Sequence, residues 1–219
     1  MKRYLSILLP LGVLGIFMVY FLTRPPSKTV FKKLPILGNH RLDTSTVNGT
    51  LKTDTVFHSI PDFKLTNQDG KIVDQSIVAG KVYVADYFFT TCTSICPVMS
   101  NQLERVARSY SGNPKFMILS HSVDPETDTP ELLREYAKLH HAKPYAWVFL
   151  TGDKKALYDL ARTGYLLDAQ EGNGGPEDFI HTQNFALIDK QRRIRGYYDG
   201  TDSTQVNQLI TDIGFLLQE

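Results

Sequence analysis

An α/β fold with a three-layer sheet is what this sequence predicts, and three observations predict it. Residues 82–89, 115–120 and 146–150 are short, nearly continuous apolar runs, the pattern of strands covered on both faces. Between them apolar residues recur at helical spacing: Met99, Leu103, Val106 and Tyr110, then Leu133, Tyr136, Ala137 and His140. Strands that alternate with helices in this way pair in parallel, with helices packed on the sheet.

Taken in order, the chain opens with Met1-Lys2-Arg3 and then residues 4–22, which carry no charge. That is close to the roughly 20 apolar residues needed to span a bilayer as a helix. A cleaved signal has a shorter apolar core, about 7–15 residues, and ends in small residues; Thr23-Arg24-Pro25-Pro26 does not fit. Residues 1–23 therefore read as a transmembrane anchor. Lys2 and Arg3 put the N-terminus inside by the positive-inside rule, although Arg24, Lys28, Lys32 and Lys33 follow the span. The expected location is the inner (cytoplasmic) membrane, single-pass, with the soluble domain on the periplasmic, extracytoplasmic side. Residues 24–59 read as a tether and lead-in. Residues 60–219 read as one domain, long enough to close a core without disulfide staples.

Within that domain, residues 60–66 and 71–73 flank Asp69-Gly70 and predict a hairpin. The run 82–89 leads into the cysteines, and Pro97 suits the first position of the helix that follows. Asp128-Thr129-Pro130-Glu131 starts a second helix, and Asp153 caps a third that carries Leu157, Leu160 and Ala161 and stops at Gly164. Residues 167–180 form a polar, Gly-rich loop. Residues 184–189 and 194–198 make a late antiparallel hairpin, and Ser203 caps a final helix with Val206, Leu209, Ile213 and Leu216 inward. This order predicts a thioredoxin-like three-layer sandwich with an N-terminal β-hairpin extension, preceded by one transmembrane helix.

Lys+Arg 24 against Asp+Glu 23 leaves no electrostatic footprint for nucleic acid. The chemistry concentrates on the two cysteines, Cys92 and Cys96, separated by three residues where a strand passes into a helix. The N–H groups of a helix N-terminus stabilise a thiolate, and thiolates are both redox nucleophiles and soft-metal ligands. Residues four apart on a helix have Cβ atoms about 5–6 Å apart, whereas a disulfide wants about 3.5–4.5 Å. The turn before Pro97 is not regular helix, so a local bridge, a redox pair and a metal site all stay open.

A metal site needs a third ligand. His140-His141 reads as a solvated helix end, and His40 and His58 as surface residues. His121 ends the second strand on the side where sites lie in open α/β sheets. His181 is the better candidate, because it stands between the Gly-rich loop and the strand that begins near Gln183. Two thiolates and an imidazole form a soft three-coordinate set suited to Cu(I); Cu(II) takes it with an added ligand. Structural zinc usually wants four ligands, and no fourth is evident.

From about Ile60 to the C-terminus the chain resembles the Sco/SenC family. Phe89-Thr90-Thr91-Cys92-Thr93-Ser94-Ile95-Cys96-Pro97 matches that family's two-cysteine metal motif. Residues 122–130 look like its Asp-Pro segment, and His181-Thr182 like its histidine-ligand position. The resemblance implies a membrane-anchored copper protein that assists assembly of the binuclear copper centre of cytochrome c oxidase. Cys92, Cys96 and His181 would be the copper ligands, and the two cysteines would form a disulfide when oxidised. The implied partners are a copper-receiving oxidase subunit and a thiol reductant; such a metallochaperone is not an enzyme. Asp124 reads equally as a turn residue before Pro125 and as a group beside the metal. One departure is Ile180, where family sequences often carry aspartate. The rival reading is a thiol–disulfide oxidoreductase acting on exported proteins, with Cys92 attacking and Cys96 resolving. A peroxidase reading lacks an arginine placed to polarise a peroxide.

Overall fold

The structure is a computed structural model that describes residues 15, 17–20, 33–47, 50–167, 180 and 182–219. The chain divides into two units, Met1–Lys32 and Lys33–Glu219. In the first, residues 15 and 17–20 are helical and exposed. The rest of the expected transmembrane segment lies outside the described residues. Among the described residues no helix is long and apolar enough to cross a membrane.

The second unit begins with a ribbon of two strands, β1 (His40–Val47) and β2 (Thr50–Phe57). Then come β3 (Lys64–Asn67), β4 (Ile72–Asp74), a 3-10 turn (Gln75–Val78) and β5 (Val82–Phe88). Helices and strands alternate from there: α1 (Cys96–Ser109), β6 (Phe116–Ser122), α2 (Pro130–Leu139), β7 (Trp147–Thr151) and α3 (Lys154–Asp159). A π-helical turn (Leu160–Gly164) extends α3. After it lie β8 (Asn184–Ile188), β9 (Ile194–Asp199) and α4 (Ser203–Gln218).

Among the described residues, seven strands form the main sheet in the order β4-β3-β7-β6-β5-β8-β9. The strands β5, β6 and β7 are parallel, with Val82 opposite Phe116 and Ile118 opposite Trp147. All their residues are buried, which is why they read as unbroken apolar runs and not as alternating ones. The β3–β4 hairpin joins antiparallel to β7 through Thr66 and Thr151, and the β8–β9 hairpin joins antiparallel to β5. The expected hairpins thus extend the parallel core on both sides.

One face of the sheet is covered by α1, α2 and α4, whose Leu103, Val106, Leu133, Leu209 and Ile213 pack on Val82, Val84, Ile118 and Phe149. The other face is covered by α3, the π-helical turn and the lead-in residues Ile60 and Phe63. Burial of each such side chain stabilises the fold by about 1.5–3 kcal/mol. Gly164 ends the third helical segment as the sequence predicts, and the reason is close approach. A Cβ there would lie 2.8 Å from Leu160 and 3.0 Å from Pro61.

Three local features differ from expectation. The cap of α4 is Asp202, whose Oδ1 accepts from the Thr204 N–H at 2.8 Å; Ser203 is already the first helical residue. Strand β6 runs to Ser122, beyond the predicted residue 120, and carries His121 into the core. The stretch 40–57, read as part of a tether, forms the β1–β2 ribbon. The Gly-rich loop lies outside the described residues at 168–179.

Candidate metal centre

The polypeptide leaves the buried end of β5, turns at Phe89 and Thr90, and presents Cys92 before α1 begins at Cys96. The Cys92 N–H donates to the Phe89 carbonyl at 3.3 Å, which closes the turn. Ile95, at the N-cap of α1, offers no side-chain acceptor, and Pro97 has no N–H to satisfy. The amide of Cys96 is therefore free to face the loop.

Both cysteines are free thiols. Cys92 is partly exposed and Cys96 is buried. Burial alone would raise the Cys92 pKa. The thiol and N–H of Cys96 and the hydroxyl and N–H of Ser94 outweigh it and bring Cys92 down to about 7. Ser94 Oγ lies 3.6 Å from the Cys92 sulfur. Cys96 goes the other way, up to about 12, first because it is buried, then because its S–H donates to the Cys92 sulfur and would lose that bond on ionising, and because the Cys92 and Asp86 charges repel a second anion; the Phe89 N–H offsets this only in part. At neutral pH about half of the partly exposed Cys92 is thiolate, while its partner is a buried thiol.

Two carboxylates support this end of the sheet from below. Asp86, central in β5, accepts from the Ser120 hydroxyl at 2.5 Å, and Ser120 accepts from Trp147 Nε1 at 2.8 Å. Burial lifts the Asp86 pKa to about 7. Asp128 is fully buried. Its Oδ1 accepts from the Thr90 N–H at 3.1 Å and from the Thr90 hydroxyl, and its Oδ2 accepts from Ser122 Oγ. Asp128 thus ties the segment after β6 to the turn that aims Cys92. Asp128→Ala leaves three donors without their acceptor, and a loss of about 2–4 kcal/mol in urea unfolding is expected. A change below about 1 kcal/mol would show that Thr90 finds another partner.

Sequence reasoning took Asp128 for part of a helix start. The helix α2 is in fact capped by Thr129, whose Oγ1 accepts from the Leu132 N–H. Asp124 serves through its backbone: its carbonyl accepts from the N–H groups of Thr127 and Asp128, and its own N–H donates to Ser122 Oγ. Among the described residues no hydrogen bond reaches its carboxylate.

Of the histidines, His121 is fully buried, its ring stacked on Tyr87 at 4.8 Å and its Nδ1 3.1 Å from the Asp86 carbonyl. Burial lowers its pKa to about 4, so it is a neutral core residue. His140 is buried beside Glu104, with Nδ1 2.9 Å from the carboxylate, and is not the solvated end expected. His58 Nε2 donates to the Gly164 carbonyl at 2.7 Å. His181 lies outside the described residues. Its neighbours in the chain are described: Ile180 is buried in the core, packed with the cluster that holds Leu167 and Tyr165. Thr182, Gln183 and Asn184 share a surface cavity of about 360 Å³ with Ile95 and Leu167. Ile180 faces apolar side chains, a setting that suits isoleucine and not aspartate.

The family model for SCO1/SenC matches residues 52–217. The SCO1 protein homolog of Bacillus subtilis is 29% identical over 162 residues, which cover 73% of this chain and 83% of that one. Among solved structures, BsSco is similar at 28% identity and a TM-score of 0.62, covering 73% of this chain and 93% of its own. BsSco is a member of the Sco family of cytochrome c oxidase assembly proteins in which a disulfide switch has been identified. ScoI of Bradyrhizobium japonicum, solved with copper bound, is similar in fold: 24% identity, TM-score 0.58, 72% of this chain and 99% of that one. A match over three-quarters of the residues, on a thioredoxin-like sheet with paired cysteines at its strand-to-helix junction, makes this chain a member of the SCO1/SenC family.

Proposed function

We propose that this protein is a membrane-anchored copper chaperone that helps metallate the binuclear copper centre of cytochrome c oxidase, with Cys92, Cys96 and His181 as its copper ligands. The observation that carries the reading is the pair of reduced cysteines after the end of β5, one partly exposed and the other buried. Soft sulfur donors on one short loop suit Cu(I). Copper is the cargo. It enters at the partly exposed Cys92 thiolate and draws in Cys96 as that thiol gives up its proton. It leaves by ligand exchange to the receiving oxidase subunit.

The third ligand is inferred from its neighbours. Thr182, next to His181 in the chain, lines the same cavity as Ile95, next to Cys96. An imidazole carried in from residue 181 would complete the set. The copper-bound relative and the relative with a disulfide switch support the same two uses of the sulfur pair. The apolar segment 4–22 would hold the domain at the extracytoplasmic face of the inner membrane, where a thiol reductant must keep the pair reduced.

His181→Ala tests the ligand set. Copper stoichiometry and affinity of the reduced protein are expected to fall, the affinity by about 10–100-fold or more. Unchanged copper binding would remove His181 from the site. The same variant separates a second reading, favoured by the unequal acidity of the two thiols. A thiol–disulfide oxidoreductase acting on exported proteins would attack through Cys92, resolve through Cys96, and lose nothing with His181.

A further inference from the structure

The β1–β2 ribbon stands apart from the main sheet. Among the described residues no third strand pairs with either of its edges. The family model begins at residue 52, so β1 lies outside the matched region. An isolated two-stranded ribbon is marginal in water, and three or more strands are needed for independent stability. One face of this ribbon exposes Leu42 and Leu51, at 69% and 75% of their surface. The chain therefore carries an unpaired and partly apolar element that its own domain does not cover.

The edge of β1 has a specific complement. The His58 N–H donates to the Asn39 carbonyl, so Asn39 turns its hydrogen bonds toward β2. In an antiparallel pair that role recurs at every second residue. Residues 41, 43 and 45 then bond inward, and the backbone groups of His40, Leu42 and Thr44 point outward. The side chains of Arg41 and Asp43 share the other face, two residues apart. Asp43 sits directly opposite Asp54 in the register, an arrangement of like charges that destabilises a strand pair. Lys52 bridges Asp54 at 3.1 Å. Among the described residues neither Arg41 nor Asp43 has an ion pair.

We propose that β1 pairs antiparallel with β1 of a second copy of this chain, about a twofold axis at Leu42. In that register Leu42 meets Leu42, His40 meets Thr44, and each Arg41 meets the other copy's Asp43. The outward backbone groups of one strand face those of its mate, because the paired positions are all even-numbered. Both unpaired charges find partners, and the two ribbons become one four-stranded sheet. A twofold axis makes the contact self-complementary and closed. The pairing is independent of the copper reading.

The test is the oligomeric state of the full chain in mild detergent, by sedimentation velocity over a range of concentrations. The wild type is expected to dimerise reversibly. Arg41→Asp alone and Asp43→Arg alone each turn two attractive contacts into two repulsive ones, and each is expected to raise the dimer dissociation constant about tenfold or more. The double variant restores opposite charges and is expected to return it to near the wild-type value. In a Cys92→Ser, Cys96→Ser background, Leu42→Cys is expected to form a disulfide-linked dimer on oxidation, and Leu51→Cys is not. A monomer at every concentration overturns the proposal, including one whose ribbon is instead protected only by lipid vesicles or by another protein. So does a dimer indifferent to the single reversals, a double variant that fails to recover, or cross-linking through residue 51 in preference to 42.

Discussion

Cys92→Ser is expected to abolish copper retention by the reduced protein, an effect larger than the 10–100-fold typical of losing a group behind a metal ligand. The serine hydroxyl is a hard, protonated donor, and the remaining Cys96 is buried with its proton held. The same asymmetry sets a pH dependence in the intact chain. The thiolate is the reactive form, and the Cys92 pKa is lowered to about 7. Alkylation at Cys92 should rise as pH passes upward through about 7, while Cys96 stays unreactive. Copper binding follows the same proton. Below pH 7 both thiols must release one, about two protons per ion; above it only Cys96 does. The slope of log affinity against pH is thus expected to halve near pH 7. Mass spectrometry of alkylated peptides reads the first result, and competition with a cuprous chelator reads the second. Equal reactivity of both cysteines would mean the loop does not distinguish them.

Arg195→Met is expected to cost about 3–5 kcal/mol, the range for breaking a buried ion pair from one side. Arg195 is buried in β9, and five hydrogen bonds leave its guanidinium. Two reach Glu219, one reaches Asp189, and two reach the carbonyls of Leu34 and Pro35. Burial opposes its charge, but Glu219 and Asp189 more than compensate and hold it protonated. Methionine fills the space and leaves the Asp189 carboxylate with the Arg193 guanidinium and the N–H groups of Gln191 and Arg193, one charged partner fewer. The cost therefore comes mainly from stranded acceptors. For a domain of this size each kcal/mol moves the melting point by roughly 2–4 °C, so a fall near 10 °C is expected. Because Arg195 joins both ends of the domain, early proteolysis should appear at residues 33–36. A melting point unchanged within 2–3 °C would show that the charges are balanced by water instead.

The parallel core was legible because its strands are buried on both faces and need no alternation to be recognised. The cysteine loop was legible because Pro97 and the polar residues 90–94 interrupt an apolar run. The β1–β2 ribbon was not read, although Asn48-Gly49 is a hairpin signal. Its strands are rich in threonine and charge, and with no buried face there is little pattern to see. His121 was misjudged by two residues of strand length, since the extra pair in β6 puts it against Tyr87 inside the core. Asp128 carried a helix-start signature that Thr129 satisfies, which left its carboxylate free to bind Thr90.

What the sequence by itself determined was which residues form strands and helices and where two thiols interrupt them, because those follow from local pattern and residue chemistry. Only the tertiary structure decided how the two sulfurs differ. Their inequality arises from the burial of Cys96 at the start of α1, the amide and thiol it turns toward Cys92, and the Asp86 carboxylate buried in β5. Those are distances between parts of the chain that no spacing along it records.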